Sequence, residues 1–366
     1  MKKKRLILGI SLLVFLLSFF CALLFGAESV PLSALFGNGN KFQNIILWDL
    51  RLPRALLAAL TGVLLGGSGA VFQLFFRNPL AEPGIMGISS GATLGAVIAT
   101  LIGGAVAGAE AATAGGAAAT TVAGTVTAGV GTAAGTGAGI GNGFLKGLFD
   151  FISPINLAAF LGALGAGALV TFLAFSKAGR RSTIMLLLCG TALGTLYSSI
   201  SSLLILTTDK EFHSIYTWIL GSFNGRGWKE LLFIALPSTI SIVIMFCISG
   251  ALDLLSCGET SASSLGVEVH KIRILVLISG ALAVSAAVCA GGTIGFIGLI
   301  APHIVRKIVG PKSKILIPFS MIFGAILLLL SDTLARVIIA PAELPTGIIT
   351  SILGVPFFIS LCLKEK

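Results

Sequence analysis

Between Trp48 and Ala96 the chain sets two long apolar runs, residues 55–76 and 85–102, on either side of a polar hinge that runs from Arg77 to Gly84. A helix rises about 1.5 Å per residue, so crossing a hydrocarbon core roughly 30 Å thick takes about 20 apolar residues. Each run comes close to that length, and the hinge carries Arg77, Asn78, Pro79, Glu82 and Pro83. A chain built this way crosses a membrane, turns and crosses back.

Composition extends this to the whole molecule. Hydrophobic residues make up 56% of the chain and charged residues 10%, against roughly 25% charged in soluble domains. The fold class is therefore all-α, a polytopic membrane protein. The net charge of +10 does not mark a nucleic-acid partner, because the basic residues sit in short loops between apolar runs and form no solvated basic face. Six cysteines, Cys21, Cys189, Cys247, Cys257, Cys289 and Cys362, show no paired metal spacing and read as free thiols in apolar runs or inner loops.

Ten spans are expected, at 6–26, 54–76, 85–102, 155–176, 183–206, 231–250, 272–291, 294–309, 315–336 and 346–363. The eighth is short and contains Pro302. The first follows Lys2-Lys3-Lys4-Arg5 and is longer than the apolar region of a cleavable signal, so it reads as a retained span. With both termini in the cytoplasm, the inner segments hold 16 of the 24 Lys and Arg residues, the bias expected of cytoplasmic loops. Adding or removing one span would put the later basic loops on the opposite side from the N-terminal cluster.

Gly62 and Gly66, and then Gly87, Gly91 and Gly95, recur at four-residue spacing. That spacing places small residues on one helix face, where another backbone comes close; the alternative is the general glycine enrichment of membrane helices. Residues 103–149 form a Gly/Ala/Thr-rich stretch, read as an external insert, with a re-entrant pair as the alternative. In the external connection 210–230, Tyr216, Trp218 and Trp228 read as anchors against membrane lipid, with ligand contact the alternative for them and for His213.

The chain has no G-x-x-x-x-G-K-[ST] loop, no H-E-x-x-H and only three scattered histidines, His213, His270 and His303. No ATP hydrolysis, resident metal, cofactor or enzymatic activity of its own is expected. Intramembrane charge is sparse; Asp332 and Arg336 stand four residues apart, able to pair on one helical face. This scarcity points away from an ion-coupled carrier and toward energy supplied by a partner. The longest inner loop, 251–271, reads as two short helices with a break. Leu252, Leu254 and Leu255 precede Gly258, and Thr260 to Leu265 follow, closed by Gly266. A polar helical loop at the membrane surface suits docking into a soluble protein.

Several stretches carry a family resemblance. They are R-L-P-R at 51–54, then Q-x-x-F-R-N-P-L-A-E-P-G-x-x-G-x-S-S-G-A, L-x-x-L-S-x-G-E-x-x-A-x-S-L-G-V in the inner loop, G-G-T-I-G-F-I-G-L-I-A-P-H, S-D-T-L-A-R and A-E-L-P-T-G. Together they resemble the permease subunits of ABC importers for iron-siderophore, haem and cobalamin, the FecCD-type, type II importers. The resemblance covers most of the chain apart from the insert and the first span. It implies the cell (inner) membrane and a homodimer, or a dimer with a related permease, with the pathway between subunits. The second and third spans, Gly-rich and mostly uncharged, with Gly62, Gly66, Gly87, Gly91 and Gly95, read as helping to line it. The resemblance also implies cytoplasmic ABC ATPase subunits docked on Leu254, Leu255, Gly258, Glu259, Ser264, Leu265 and Gly266. An extracytoplasmic substrate-binding protein is implied as well, its acidic residues received by Arg51, Arg54 and Arg336. The expected function is import of a ferric siderophore or haem, with cobalamin import as the alternative and an ion-driven secondary transporter as the rival from another class.

Overall fold

The computed structural model describes residues 2–26, 28, 31, 39–114, 153–175, 183–206 and 212–364. Helix α1 is Lys2–Leu24, and the short α2, Lys41–Asn44, runs through a π-helical stretch, Ile45–Arg51, into α3, Leu52–Phe76. A 3-10 turn, Pro83–Met86, precedes α4, Ile88–Ala114. There follow α5 (Pro154–Phe175), α6 (Thr183–Leu206), the short α7 (Phe212–Ile219), α8 (Trp228–Ser256) and the short α9 (Glu259–Ser264). The last four are α10 (Val269–Gly291), α11 (Ile297–Val309), α12 (Ser313–Val337) and α13 (Thr346–Lys364). Each of the ten expected spans falls on one of these helices. Among the described residues, seven helices are long and apolar enough to cross a membrane, and the apolar stretches 88–102 of α4 and 346–361 of α13 are shorter. At 13 residues, α11 is about 20 Å long and does not cross alone.

Helix α3 is the centre of the molecule. Of its span's apolar window 83% is buried, against 72% for α10, 61% for α12 and 17% for α1 and α6. A helix rich in Gly and Ala takes this place because dispersion contact, with lipid as the competing solvent, rewards close backbone approach. A Cβ at Gly62 would lie 2.6 Å from the Ala325 backbone, and at Gly66 would strike the Ser320 carbonyl, so α12 rests directly on this face. Gly69 meets the backbone of Gly298 on α11, and the Phe72 ring fills the space over Gly280 on α10. The pairs 62/324 and 66/320 run in opposite senses, which makes α3 and α12 antiparallel. The same holds for α4 and α5, where Gly91 faces Gly162 and Gly95 faces Ala158. Large side chains point outward from the peripheral helices, among them Leu13 and Leu17 on α1, Leu188 and Leu203 on α6, and Leu232 and Leu236 on α8.

Three of the segments assigned to the inner side, those around Arg77, Leu255 and Ser313, lie together at one end. Arg77 donates to the Leu255 carbonyl, and the Ser313 N–H donates to Asp253 Oδ1 at 2.8 Å. At the other end Trp228 Nε1 donates to the Trp48 carbonyl at 3.3 Å. Two expectations shift. Helix α4 continues through Ala114, past the expected span end at 102 and into the segment read as an insert, whose remaining residues, 115–149, lie outside the described residues. Helix α8 begins at Trp228 and ends at Ser256, beyond the apolar stretch on both sides, because hydropathy marks where lipid ends and not where helical hydrogen bonding ends.

Candidate functional site

At the inner end the predicted break between two short helices is present, but its first half is the tail of α8. Leu252 and Leu255 are buried there and Leu254 is half-buried. The chain turns at Gly258, whose φ of +123° suits glycine, and enters α9. Helix α9 rests on one buried residue, Ala262, and leaves Glu259, Ser264 and Leu265 exposed. It ends in a Schellman motif: Val267 N–H donates to the Ala262 carbonyl and Gly266 N–H to the Ser263 carbonyl, each at 3.0 Å, with Gly266 at φ +83°. An ion pair from Glu259 to Arg273 ties the segment to α10. The result is a fixed, solvent-facing ledge.

A cavity of about 560 Å³ opens among α3, α10, α13 and the two irregular stretches 82–84 and 292–295, within the range of about 300–1,000 Å³ typical of ligand sites. Glu82 is its one ionisable lining residue; Ser89, Thr293 and Ser351 add hydroxyls. A smaller recess of about 230 Å³ shares Ser89 and Thr293 and continues the hydroxyl wall along α4 and α6 with Ser90, Thr93, Ser198 and Ser202. Glu82 lies in the connection between α3 and α4, outside both spans. Burial pushes its carboxyl above the usual carboxylate range, and the Phe296 N–H, donating to Oε1 at 2.7 Å, opposes that shift. Pro302 leaves the Gly298 carbonyl without its usual helical donor. Gln73 Nε2 on α3 supplies one at 3.4 Å and also donates to the Leu299 carbonyl at 3.2 Å.

None of the five expected glycines lines this cavity. Gly62 and Gly66 sit in the α3/α12 crossing and Gly91 and Gly95 in the α4/α5 crossing. Gly87, at φ +70°, meets the Gly190 carbonyl on α6. All five stand at close backbone approaches, but Gly87, at its left-handed turn, meets α6 and does not share the face by which Gly91 and Gly95 meet α5.

The three arginines expected to face an acidic partner are instead turned inward, with 4–8% of their surface exposed. Arg54 pairs with Asp332 at 2.9 Å and with Glu343 at 2.8 Å. Arg336 pairs with Asp332 at 3.2 Å, one helical turn away as the sequence suggested, and Thr346 Oγ1 donates to the same carboxylate at 3.1 Å. Arg51 donates to the carbonyls of Leu23 and Leu24 at 3.0 and 2.8 Å and to that of Glu28, and Arg336 donates to Ala22 O at 3.0 Å. A helix C-terminus leaves carbonyls unpaired and carries partial negative charge, so two arginines complete α1. The acids that Arg54 meets, Asp332 and Glu343, come from this chain, far along it, and the local motif R-L-P-R does not reveal them. Among the described residues no group of three or more His, Cys, Asp or Glu is placed to hold a metal ion.

A family model described as the FecCD transport family matches residues 12–136 and 122–364. The chain belongs to that family. Among FecCD relatives it is 31% identical to the hemin transport system permease protein HmuU of Yersinia pestis, over 99% of this chain and 96% of that protein. It is equally 31% identical to the vitamin B12 import system permease protein BtuC of Vibrio cholerae, over 90% of this chain and 86% of that one. A solved structure, described as an inward-facing conformation of an ABC transporter of metal-chelate type, superposes with a TM-score of 0.76 at 30% identity, covering 98% of this chain and 99% of the other. This FecCD chain is thus a multi-pass membrane permease.

Proposed function

We propose that the chain is the membrane-spanning subunit of an ABC importer that carries a chelated iron compound, a ferric siderophore or haem, into the cytoplasm. The observation that carries this reading is the pairing of a ledge at the inner end, α9, with a cavity among the helices, in a chain that has no nucleotide-binding loop. Energy then enters from cytoplasmic ATPase subunits seated on 251–271. A pathway forms between this chain and a second permease, identical or related, and an extracytoplasmic binding protein delivers the ligand. A wall of hydroxyls and backbone exchanges hydrogen bonds with a passing chelate without holding it, which suits translocation, and switching access requires differential stabilisation of two conformations. The arginine cluster enters in a changed role. It fixes α1, α3, α12 and the start of α13 beneath the docking face, and Glu343, 24% exposed, is its surface member.

Similarity to the hemin permease and to the metal-chelate type transporter supports iron, and similarity to the B12 permease keeps cobalamin as the second reading. The test is ATP hydrolysis by the chain purified with its ATPase and binding protein, across haem, ferric siderophores and cobalamin. Stimulation by iron chelates alone is expected. Stimulation by cobalamin alone replaces the substrate, and failure of the intact chain to assemble with any ATPase overturns the importer reading.

A further inference from the structure

Among the described residues, two that are not glycine have a positive φ, Arg77 at +50° and Phe296 at +67°. Both belong to one line of contacts. Arg77 closes α3 in a Schellman motif, with Asn78 N–H on the Gln73 carbonyl at 3.2 Å and its own N–H on the Leu74 carbonyl at 3.3 Å. Glycine is the usual residue at such a position. An arginine there is explained by its side chain, which reaches the Leu255 carbonyl in the last turn of α8, directly before the Gly258 turn and α9.

From Arg77 the chain reaches α4 through a short, internally braced connection. Leu80 N–H donates to Asn78 Oδ1 at 2.9 Å and Ala81 N–H to the Asn78 carbonyl at 3.1 Å, and Pro79 and Pro83 limit backbone rotation. The connection folds back along α3: Pro83 abuts Gly298, which itself packs on Gly69, about two turns before α3 ends. There Glu82 holds the Phe296 N–H at 2.7 Å. Phe296 is the residue from which α11 starts, and its ring lies on Gly354 of α13. Glu82, Gly295 and Gly298 all line the cavity.

We propose that residues 77–82 transmit movement of the ATPase-facing segment to the wall of the cavity, with Arg77 and Glu82 as positioning residues at the two ends of this stretch. The inference rests on the coupling role proposed for 251–271. Displacing the end of α8 carries Arg77 with it. The braced connection moves as a unit, and Glu82 shifts the start of α11 and the Phe296 ring against α13. Strained backbone at both ends fits a device held in place by its surroundings and able to change state.

Hydrogen exchange of amides 296–300, measured with and without ATP on the permease assembled with its ATPase, tests this. In the wild type, ATP is expected to change the exchange rate there several-fold. Arg77→Gly suits the left-handed backbone while removing the side chain, so it should assemble normally and lose that response. Glu82→Ala should raise exchange at 296–300 about tenfold with or without ATP, whereas Glu82→Gln, which keeps the acceptor oxygen, should behave as wild type. A wild-type-sized ATP response in Arg77→Gly overturns the proposal, as does unchanged exchange in Glu82→Ala. Should Glu82→Ala fail to assemble, Glu82→Gln decides: wild-type exchange supports the acceptor role and raised exchange overturns it. The Glu82 comparison on the permease alone is independent of any ATPase. Absence of a wild-type ATPase complex therefore counts against the importer reading and is read separately from the bond between Glu82 and Phe296.

Discussion

Asp332 balances the charge at the outer end of the molecule. It is 1% exposed and receives Arg54, Arg336 and Thr346. Removing one partner of a buried ionic group leaves the others uncompensated, at a cost of about 3–5 kcal/mol. Asp332→Ala is accordingly expected to lower the unfolding temperature in detergent sharply. Glu343→Gln leaves Arg54 its contacts with Asp332 and is expected to cost about 1 kcal/mol or less, in the range of partly exposed pairs. Equal losses in the two variants, measured by thermal unfolding, would contradict this ordering. The pairing of Asp332 with Arg336 was legible because it spans one helical turn. Arg54 was not legible as its third member, since it lies 278 residues away, and only packing of α3 on α12 joins them. The same holds for Glu82, visible as a charge in a hinge but not as an acceptor for Phe296, 214 residues on.

At the scale of elements, four-residue glycine spacing told which faces take part in close crossings but not with which helix. Gly66 met α12 and Gly91 met α5, contacts separated by long stretches of chain. A side chain at Gly66 must displace backbone of Ser320 and Gly324, and overpacking of this kind costs about 1–3 kcal/mol or more. Gly165, on α5, has no atom within 4 Å of where a Cβ would stand. Gly66→Leu is therefore expected to reduce the yield of folded, monodisperse protein in size-exclusion chromatography, and Gly165→Ala to leave it unchanged. Identical elution and yield for the two would mean that α3 and α12 do not depend on this contact. The helices themselves were legible because an apolar run of about 20 residues is a local property. The length of α8 was less so, because its last turns leave the apolar stretch and are held by contacts such as Ser249 and Asp253 with the start of α12.

For the whole molecule, both termini inside is a statement about sidedness, and Cys257 reports it. Cys257 is exposed beside the α8–α9 turn and Cys289 is buried in α10. In a variant that keeps Cys257 as its one cysteine, a membrane-impermeant maleimide is expected to label the protein in inside-out vesicles and not in right-side-out vesicles. Labelling of Cys257 from the outer face would invert the topology and move α9 away from any cytoplasmic ATPase. Of the segments assigned inward by charge, those around Arg77, Leu255 and Ser313 gather at one end, and the 177–182 loop lies outside the described residues.

Sequence alone determined that this chain is a bundle of membrane helices, where each begins and ends to within a few turns, which loops share a side, and which family motifs it carries. These follow from apolar length, basic residues in loops and short-range turn chemistry, all confined to neighbouring residues. Tertiary structure decided that α3 is the core, that Arg51 and Arg336 complete α1 instead of facing outward, and that Gln73 serves the carbonyl freed by Pro302. It also decided that Glu82 reaches the start of α11. Each depends on which helix lies beside which. In a chain of nearly uniform apolarity, that choice rests on shape and on a few buried polar partners distant in sequence.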